Sequence, residues 1–338
     1  MTRSPSSYEL SAWTTLRVGG PASGWVIAET DDDIHGAVAS GDRLLVLGGG
    51  SNLVVADAGV DATVVQVATR GVSAKVRDGL VQLEVMAGEA WDELVEHCVR
   101  EGWSGIEAMS GIPGRVGATP VQNVGAYGQE VSDVIEHVRV LDRSTSMQAV
   151  LSPAQCDFGY RTSALKAQPD RYIVLSVGFR LRESPDGAAR YGELASTLGV
   201  PVGGAARIDE IRAAVLELRR RKGMVLDPDD HDTWSAGSFF TNPIVDDSTA
   251  RALPAECPRY PAATGTKVSA AWLIAQAGIA RGFALPGSRA AVSTKHVLAL
   301  TNRGGATAAE ILELAAYVQH RVREACGLEL QAEPVVFA

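Results

Sequence analysis

The sequence has 338 residues, 46% of them hydrophobic, which is enough chain and apolar content for two or three domains with a real core. Its net charge of -9 argues against a general nucleic-acid or anionic-membrane partner, so a phosphate site has to be local, built from a few cations and backbone N–H groups. The four cysteines (Cys98, Cys156, Cys257, Cys326) are too far apart for a metal-type pair, MTRSPSSYEL lacks a signal-type apolar core, and no apolar run reaches bilayer length, so a soluble cytoplasmic protein with reduced thiols and no metal is expected.

Taken in order, Leu16–Ala22 reads as a strand entering a Gly-Pro turn. Acidic residues from Glu29 to Asp33 precede a helix through Val38, since acids favour a helix N-terminus. Strand Leu44–Leu47 follows, then a triple-glycine turn and a β run at Thr63–Val67, which makes a small β-α-β unit. Residues 72–84 alternate as β, and Trp91, Leu94, Val95, Cys98 and Val99 fall at helical spacing. After a long glycine-rich stretch, 134–142 and 172–182 alternate as strands of a second α+β unit. SPDGAARYGEL, 184–194, reads as a loop carrying Tyr191. Ile208, Ile211, Val215 and Leu218 mark an amphipathic helix that ends in the basic run Arg219–Lys222, of which Lys222 is singled out. A polar connector, 224–234, opens a third region with helix 268–277, strand 297–301, helix 307–325 and a closing β segment, 330–337.

Two stretches interrupt this pattern. Gly48, Gly49, Gly50, Ser51, Asn52 and Leu53 directly follow a buried strand, where successive N–H groups can form an anion nest. Gly102 to Val131 is punctuated by seven glycines yet anchored by Trp103, Ile106, Met109, Ile112, Val116, Val121, Val124 and Tyr127, so it reads as an ordered backbone wall against a flat, polyanionic ligand. Neither is a G-x-G-x-x-G or a P-loop. A pair of tight turns at strand ends is the plain alternative.

LGGGSNLVV, SGIPGRVGATPVQNVGAYG, FGYRTSALK, SAGSFFTNP and AEPVVF, in that order, resemble the UDP-N-acetylenolpyruvoylglucosamine reductase family, and the resemblance runs from Leu16 to Phe337. It implies an α+β (α/β) protein. A two-part FAD-binding domain of the p-cresol methylhydroxylase/vanillyl-alcohol oxidase type would span 1–68 (joined by 330–338) and 69–222. A C-terminal α+β substrate domain would span 223–329. The family completes UDP-N-acetylmuramate in peptidoglycan synthesis with FAD and NADPH. Cofactor contacts carried over are Gly48 to Leu53 together with Gly111, Ile112, Gly114, Gly117, Ala118, Gln122, Asn123, Gly125, Ala126 and Tyr127. Neither wall contains a histidine or cysteine, so non-covalent FAD is expected.

By the same resemblance Arg161, Ser238 and Glu333 are catalytic, and Tyr191, Lys222 and Asn242 hold the UDP-sugar. Reduced FAD gives hydride from N5 to the vinyl carbon of the enolpyruvyl ether. Arg161 and Glu333 stabilise the enolate-like charge, and Ser238 supplies the proton. From the residues alone, Arg161 could equally be a surface ion pair, Ser238 a turn serine capping its own backbone, and Glu333 a solvent-facing carboxylate on a strand. An oxygen-using sugar oxidase and a flavin-bound sensor are the competing functions. A small-molecule substrate, no nucleic acid, no membrane and a monomer are the expected partners and state.

Overall fold

The computed structural model describes residues 8–337; residues 1–7, which open the segment lacking a signal-type apolar core, and Ala338 lie outside it. The described chain divides into two compact units. The larger takes Ala22–Gly49 and Asp61–Val225; the smaller takes the chain up to Pro21, Gly50–Val60 and the chain from Leu226 on. The finer three-part division given above remains a proposal.

In the larger unit, strands Ala22–Ala28, Val60–Val67 and Leu44–Leu47 form a sheet in that order. Leu44–Leu47 runs parallel to Val60–Val67, as a β-α-β connection requires. Helix Asp31–Ala39 opens on a capping box: Thr30 accepts from the Asp33 N–H and the Asp33 carboxylate accepts from the Thr30 N–H. The second sheet is antiparallel, ordered Met147–Leu151, Ile135–Asp142, Tyr172–Glu183, Leu80–Met86, Val72–Arg77. Its central strand, Tyr172–Glu183, is buried along most of its length, which explains the continuous apolar run in its sequence. Helix Trp91–Arg100 lays Trp91, Leu94, Val95 and Cys98 into the same core as Val85, Val138, Val177 and Phe179. Helix Ile208–Arg221 buries Ile211, Val215 and Leu218 against Leu194 and Ala195.

In the smaller unit, Leu53–Val55 pairs in parallel with Val335–Phe337, joining residues nearly three hundred positions apart. Helix Ala308–Cys326 packs Ile311, Leu314, Val318 and Val322 against Phe239, Phe240, Leu273 and Val292. The Asp57 carboxylate accepts from the N–H groups of Ala308 and Ala309 at 2.7 and 3.0 Å, placing negative charge at the positive end of that helix. Among the described residues no helix is long and apolar enough to cross a membrane.

Five sequence expectations need correction. Leu16–Ala22 is not a strand: Arg17 and Gly19 sit at φ 54° and 118°, outside the β region, and the strand starts at Ala22. Residues 184–194 are not a plain loop: Asp186–Ala188 pairs with Ala205–Arg207, and Tyr191 is the N-cap of helix Gly192–Leu198. The helix expected from Val268 begins at Ala270, because Ser269 caps it by accepting from the Trp272 N–H, and the strand expected at 297–301 is Leu300–Asn302. The closing strand is only Val335–Phe337, so Glu333 precedes it rather than lying in it.

Candidate active site

The expected site residues fall into two groups, one in each unit. In the larger unit, strand Leu44–Leu47 delivers Gly48 and Gly49 onto the second glycine stretch. A Cβ on Gly49 would lie 2.6 Å from Gly114 Cα, so the two backbones touch where neither residue has a side chain. A Cβ on Gly117 would meet the Ala87 Cβ at 2.5 Å. The two stretches therefore form one glycine-lined surface.

Three of the expected residues are held in left-handed backbone conformations that non-glycine residues rarely adopt: Asn123 at φ 48°, Tyr127 at 49° and Arg161 at 55°. Such strain persists when the surroundings over-determine it, and here they do. Asn123 is buried; its Nδ2 donates to the Glu130 carboxylate and the Gly159 carbonyl, and its Oδ1 accepts from the Ser132 N–H. The Arg161 Nη2 donates to the Gly125 carbonyl at 2.9 Å, tying the FGYRTSALK segment to the glycine wall. The Ser163 hydroxyl donates to the Val121 carbonyl and the Lys166 Nζ to the Arg161 carbonyl.

Tyr127 links the two sets of expected contacts. The Tyr191 ring meets it edge-on at 5.6 Å, and the Lys222 Nζ lies 5.7 Å from its ring centroid. Lys222 ends helix Ile208–Arg221 and pairs with Glu193, two residues after Tyr191. Burial is the first cause that pushes the Tyr127 phenol up to about 12, so it stays protonated at neutral pH.

In the smaller unit, Ser238 and Glu333 are brought together through the backbone. The Glu333 N–H donates to the Phe239 carbonyl at 2.9 Å, and Phe240 bridges Ala332 in antiparallel sense. Phe239 and Phe240 are fully buried, and the Phe239 N–H donates to the Leu298 carbonyl, which fixes the residue after Ser238. Within Ser235–Ser238 it is the Ser235 hydroxyl that accepts from the Gly237 N–H at 3.2 Å. Ser238 is half-buried, and its hydroxyl makes no hydrogen bond among the described residues, so Ser235 and not Ser238 is the turn serine. The Thr15 hydroxyl donates to the Ser235 carbonyl at 2.7 Å. The Asn52 Nδ2 donates to the Glu333 carbonyl at 3.3 Å, and the Val335 N–H to the Asn52 carbonyl at 3.0 Å. Gly50 sits at φ 61° with no room for a Cβ, which would fall 1.9 Å from the Trp13 carbonyl oxygen. The Asn242 Oδ1 accepts from the Ala270 N–H and so secures a helix start.

Residues 227–337 match the family model described as the C-terminal domain of UDP-N-acetylenolpyruvoylglucosamine reductase, and 23–150 match an FAD binding domain. The reductase of that name from Saccharopolyspora erythraea is 53% identical, over 97% of this chain and 94% of its own. That from Cutibacterium acnes is 49% identical, over 96% and 88%. The chain belongs to the UDP-N-acetylenolpyruvoylglucosamine reductase family. The crystal structure of the Thermus caldophilus reductase is also similar, with a TM-score of 0.68 and 29% identity over 98% of this chain and 97% of that one.

A reductase of this family is an oxidoreductase with FAD as cofactor, and the residues present fit that group. The amides of Gly48 and Gly49 donate no backbone hydrogen bond among the described residues, so they are free to meet a pyrophosphate. Gly49 gives a direct test of this wall. Gly49→Ala should cost ~1–3 kcal/mol, because its Cβ strikes backbone that cannot rotate away, and should lower flavin content. Gly48→Ala, whose Cβ would have ordinary contacts at 3.6 Å, should change stability by less than about 0.5 kcal/mol. Denaturant unfolding and the flavin-to-protein ratio of the two variants check this; equal behaviour would contradict it.

Sequence reasoning missed several members of this site. Asp92 accepts from the Gly111 N–H at 2.6 Å and holds the Arg212 guanidinium at two points, 2.6 and 3.1 Å. Arg219 lies inside the basic run from which only Lys222 was singled out. The available signal was phase: Arg219 stands four residues after Val215, on the buried stripe of its helix, whereas Arg220 and Arg221 are exposed.

Proposed function

We propose that this reductase uses NADPH to reduce the enolpyruvyl ether of UDP-N-acetylglucosamine to UDP-N-acetylmuramate, a cytoplasmic step of peptidoglycan synthesis. FAD, held non-covalently, carries the hydride between the two. The observation that best supports the catalytic part is the uncommitted Ser238 hydroxyl, set one residue before Phe239, whose carbonyl accepts the Glu333 N–H. In this reading Ser238 gives its proton to the substrate carbon beside the carboxylate. Arg161, fixed by the Gly125 carbonyl, meets the negative charge that develops on that carboxylate. Glu333, when protonated, donates a hydrogen bond to the same charge.

Lys222, Tyr191 and Asn242 hold the sugar nucleotide. Tyr191 is 43% exposed at the start of its helix, so it has room to pack over a ligand. The motif set fits neither an oxygen-using oxidase nor a sensor, since neither needs a serine donor.

The chain is acidic overall, with a net charge of -9, and in this reading NADPH and the UDP-sugar share one basic binding region over the flavin. High concentrations of the UDP-sugar should therefore inhibit, and the inhibition should be competitive with NADPH in steady-state kinetics. Binding of one ligand unaffected by saturation with the other would exclude the shared region.

A further inference from the structure

Glu107, in the second glycine stretch, is a buried acid that the reading above does not use. It is 1% exposed, and among the described residues no lysine, arginine or histidine lies within ion-pair distance of it. One carboxylate oxygen accepts from the Gly105 N–H at 2.6 Å and the other from the Gln129 Nε2 at 2.9 Å. The Gln129 Oε1 in turn accepts from the Ala108 N–H at 2.8 Å. A carboxylate taken out of water without a cation is costly, and such departures are expected where a site needs them.

The contacts of this pair lead to Tyr191 from two sides. On one side, a Cβ on Gly187 would lie 2.1 Å from the Glu107 Oε1, so the carboxylate rests against the backbone of strand Asp186–Ala188. The Arg190 N–H donates to the Ala188 carbonyl at 3.0 Å, which leaves little slack between that strand and Tyr191. On the other side, Gln129 follows Gly128, where a Cβ would meet the Arg190 Cβ at 2.8 Å. Tyr127, one residue earlier, holds the Tyr191 ring edge-on.

We propose that Glu107 is a positioning residue for the UDP-sugar: with Gln129 it fixes the backbone on both sides of Tyr191 and so sets that ring against Tyr127. The proposal deepens the reading that Tyr191 packs over the sugar nucleotide, and rests on it. The donors dictate the residue type. Gly105 and Ala108 each present an N–H, and between them two side chains must accept at both ends and bond to each other. Two amides cannot do this, because one NH2 group always faces another donor, whereas one carboxylate and one amide satisfy every group. The carboxylate serves equally well at either position.

The test is the affinity of the oxidised holoprotein for enolpyruvyl UDP-N-acetylglucosamine, titrated through the flavin absorbance without NADPH. Glu107→Gln should weaken binding about 10-fold, the scale of one buried donor left unsatisfied. FAD content and the rate of flavin reduction by NADPH should stay near the parent's. Adding Gln129→Glu to Glu107→Gln restores the full set of hydrogen bonds and should bring binding back to within about twofold of the parent. In a Tyr191→Ala background, Glu107→Gln should change the affinity by less than about twofold, because the ring it positions is gone. If Glu107→Gln does not fold, Gln129→Leu is titrated in both backgrounds with the same expectations. Parent-like sugar binding in the single variant, an equal loss in both backgrounds, or no recovery in the exchanged pair would overturn the proposal. Loss of FAD in place of sugar affinity would also overturn it and make Glu107 a brace of the cofactor wall. Parent-like sugar binding in Tyr191→Ala itself would instead sink the reading of Tyr191, and the proposal with it.

Discussion

Ser238→Ala is expected to bind FAD, to be reduced by NADPH at nearly the parent rate, and to be reoxidised by the enolpyruvyl sugar about 10²–10⁴-fold more slowly, the usual worth of a positioned general acid. The split follows from order. The proton is needed only after hydride has left the cofactor, so a missing donor cannot slow the first half-reaction. It also follows from the local structure. Ser235, not Ser238, accepts from the Gly237 N–H, and the Phe239 N–H and carbonyl are bound to Leu298 and Glu333. The turn keeps its hydrogen bonds when the Ser238 hydroxyl is removed, so stability should change by less than about 0.5 kcal/mol. Ser238→Cys should recover part of the rate, because a thiol can also donate. Stopped-flow measurement of each half-reaction decides the matter. Slowing of flavin reduction, or equal slowing of both halves, would take Ser238 out of the donor role.

Arg161→Met is expected to lower the rate of reoxidation by about 10²–10³-fold, the scale of losing one preorganised stabiliser of developing charge. Arg161 occupies a left-handed conformation at φ 55° and reaches the Gly125 carbonyl, an arrangement with a backbone cost that a surface ion-pair residue has no need of. Methionine keeps the length of the side chain and removes the charge. Arg161→Gly adds a control, since glycine relieves the backbone strain but lacks the cation: it should be no faster than Arg161→Met while matching or exceeding its thermal stability. Parent-like reoxidation in Arg161→Met would refute the assignment.

The parts of this account legible in the sequence were those written locally. The glycine walls were visible because a backbone in contact with backbone tolerates no other residue, as Gly49 against Gly114 illustrates. The central strands and the helices at 91–100 and 208–221 carried their period within a dozen residues. What failed depended on distant partners or on backbone angles. Asp186–Ala188 is a strand only because Ala205–Arg207 lies beside it. Leu16–Ala22 has β-type residues, but the positive φ of Arg17 and Gly19 breaks the strand. AEPVVF reads as a strand throughout, but Pro334, which has no N–H, separates Glu333 from Val335, where the pairing with Leu53–Val55 begins. Arg219 was hidden among three neighbouring cations, and only its helical phase separates it from them.

Catalysis by this chain as an NADPH-dependent reductase is tested most directly by colour under anaerobic conditions. The purified holoprotein is titrated with NADPH until its yellow absorbance is lost, and enolpyruvyl UDP-N-acetylglucosamine is then added. The account predicts that the absorbance returns in proportion to the sugar added, with one UDP-N-acetylmuramate formed per flavin reoxidised. Protein that stays bleached until air is admitted would contradict it.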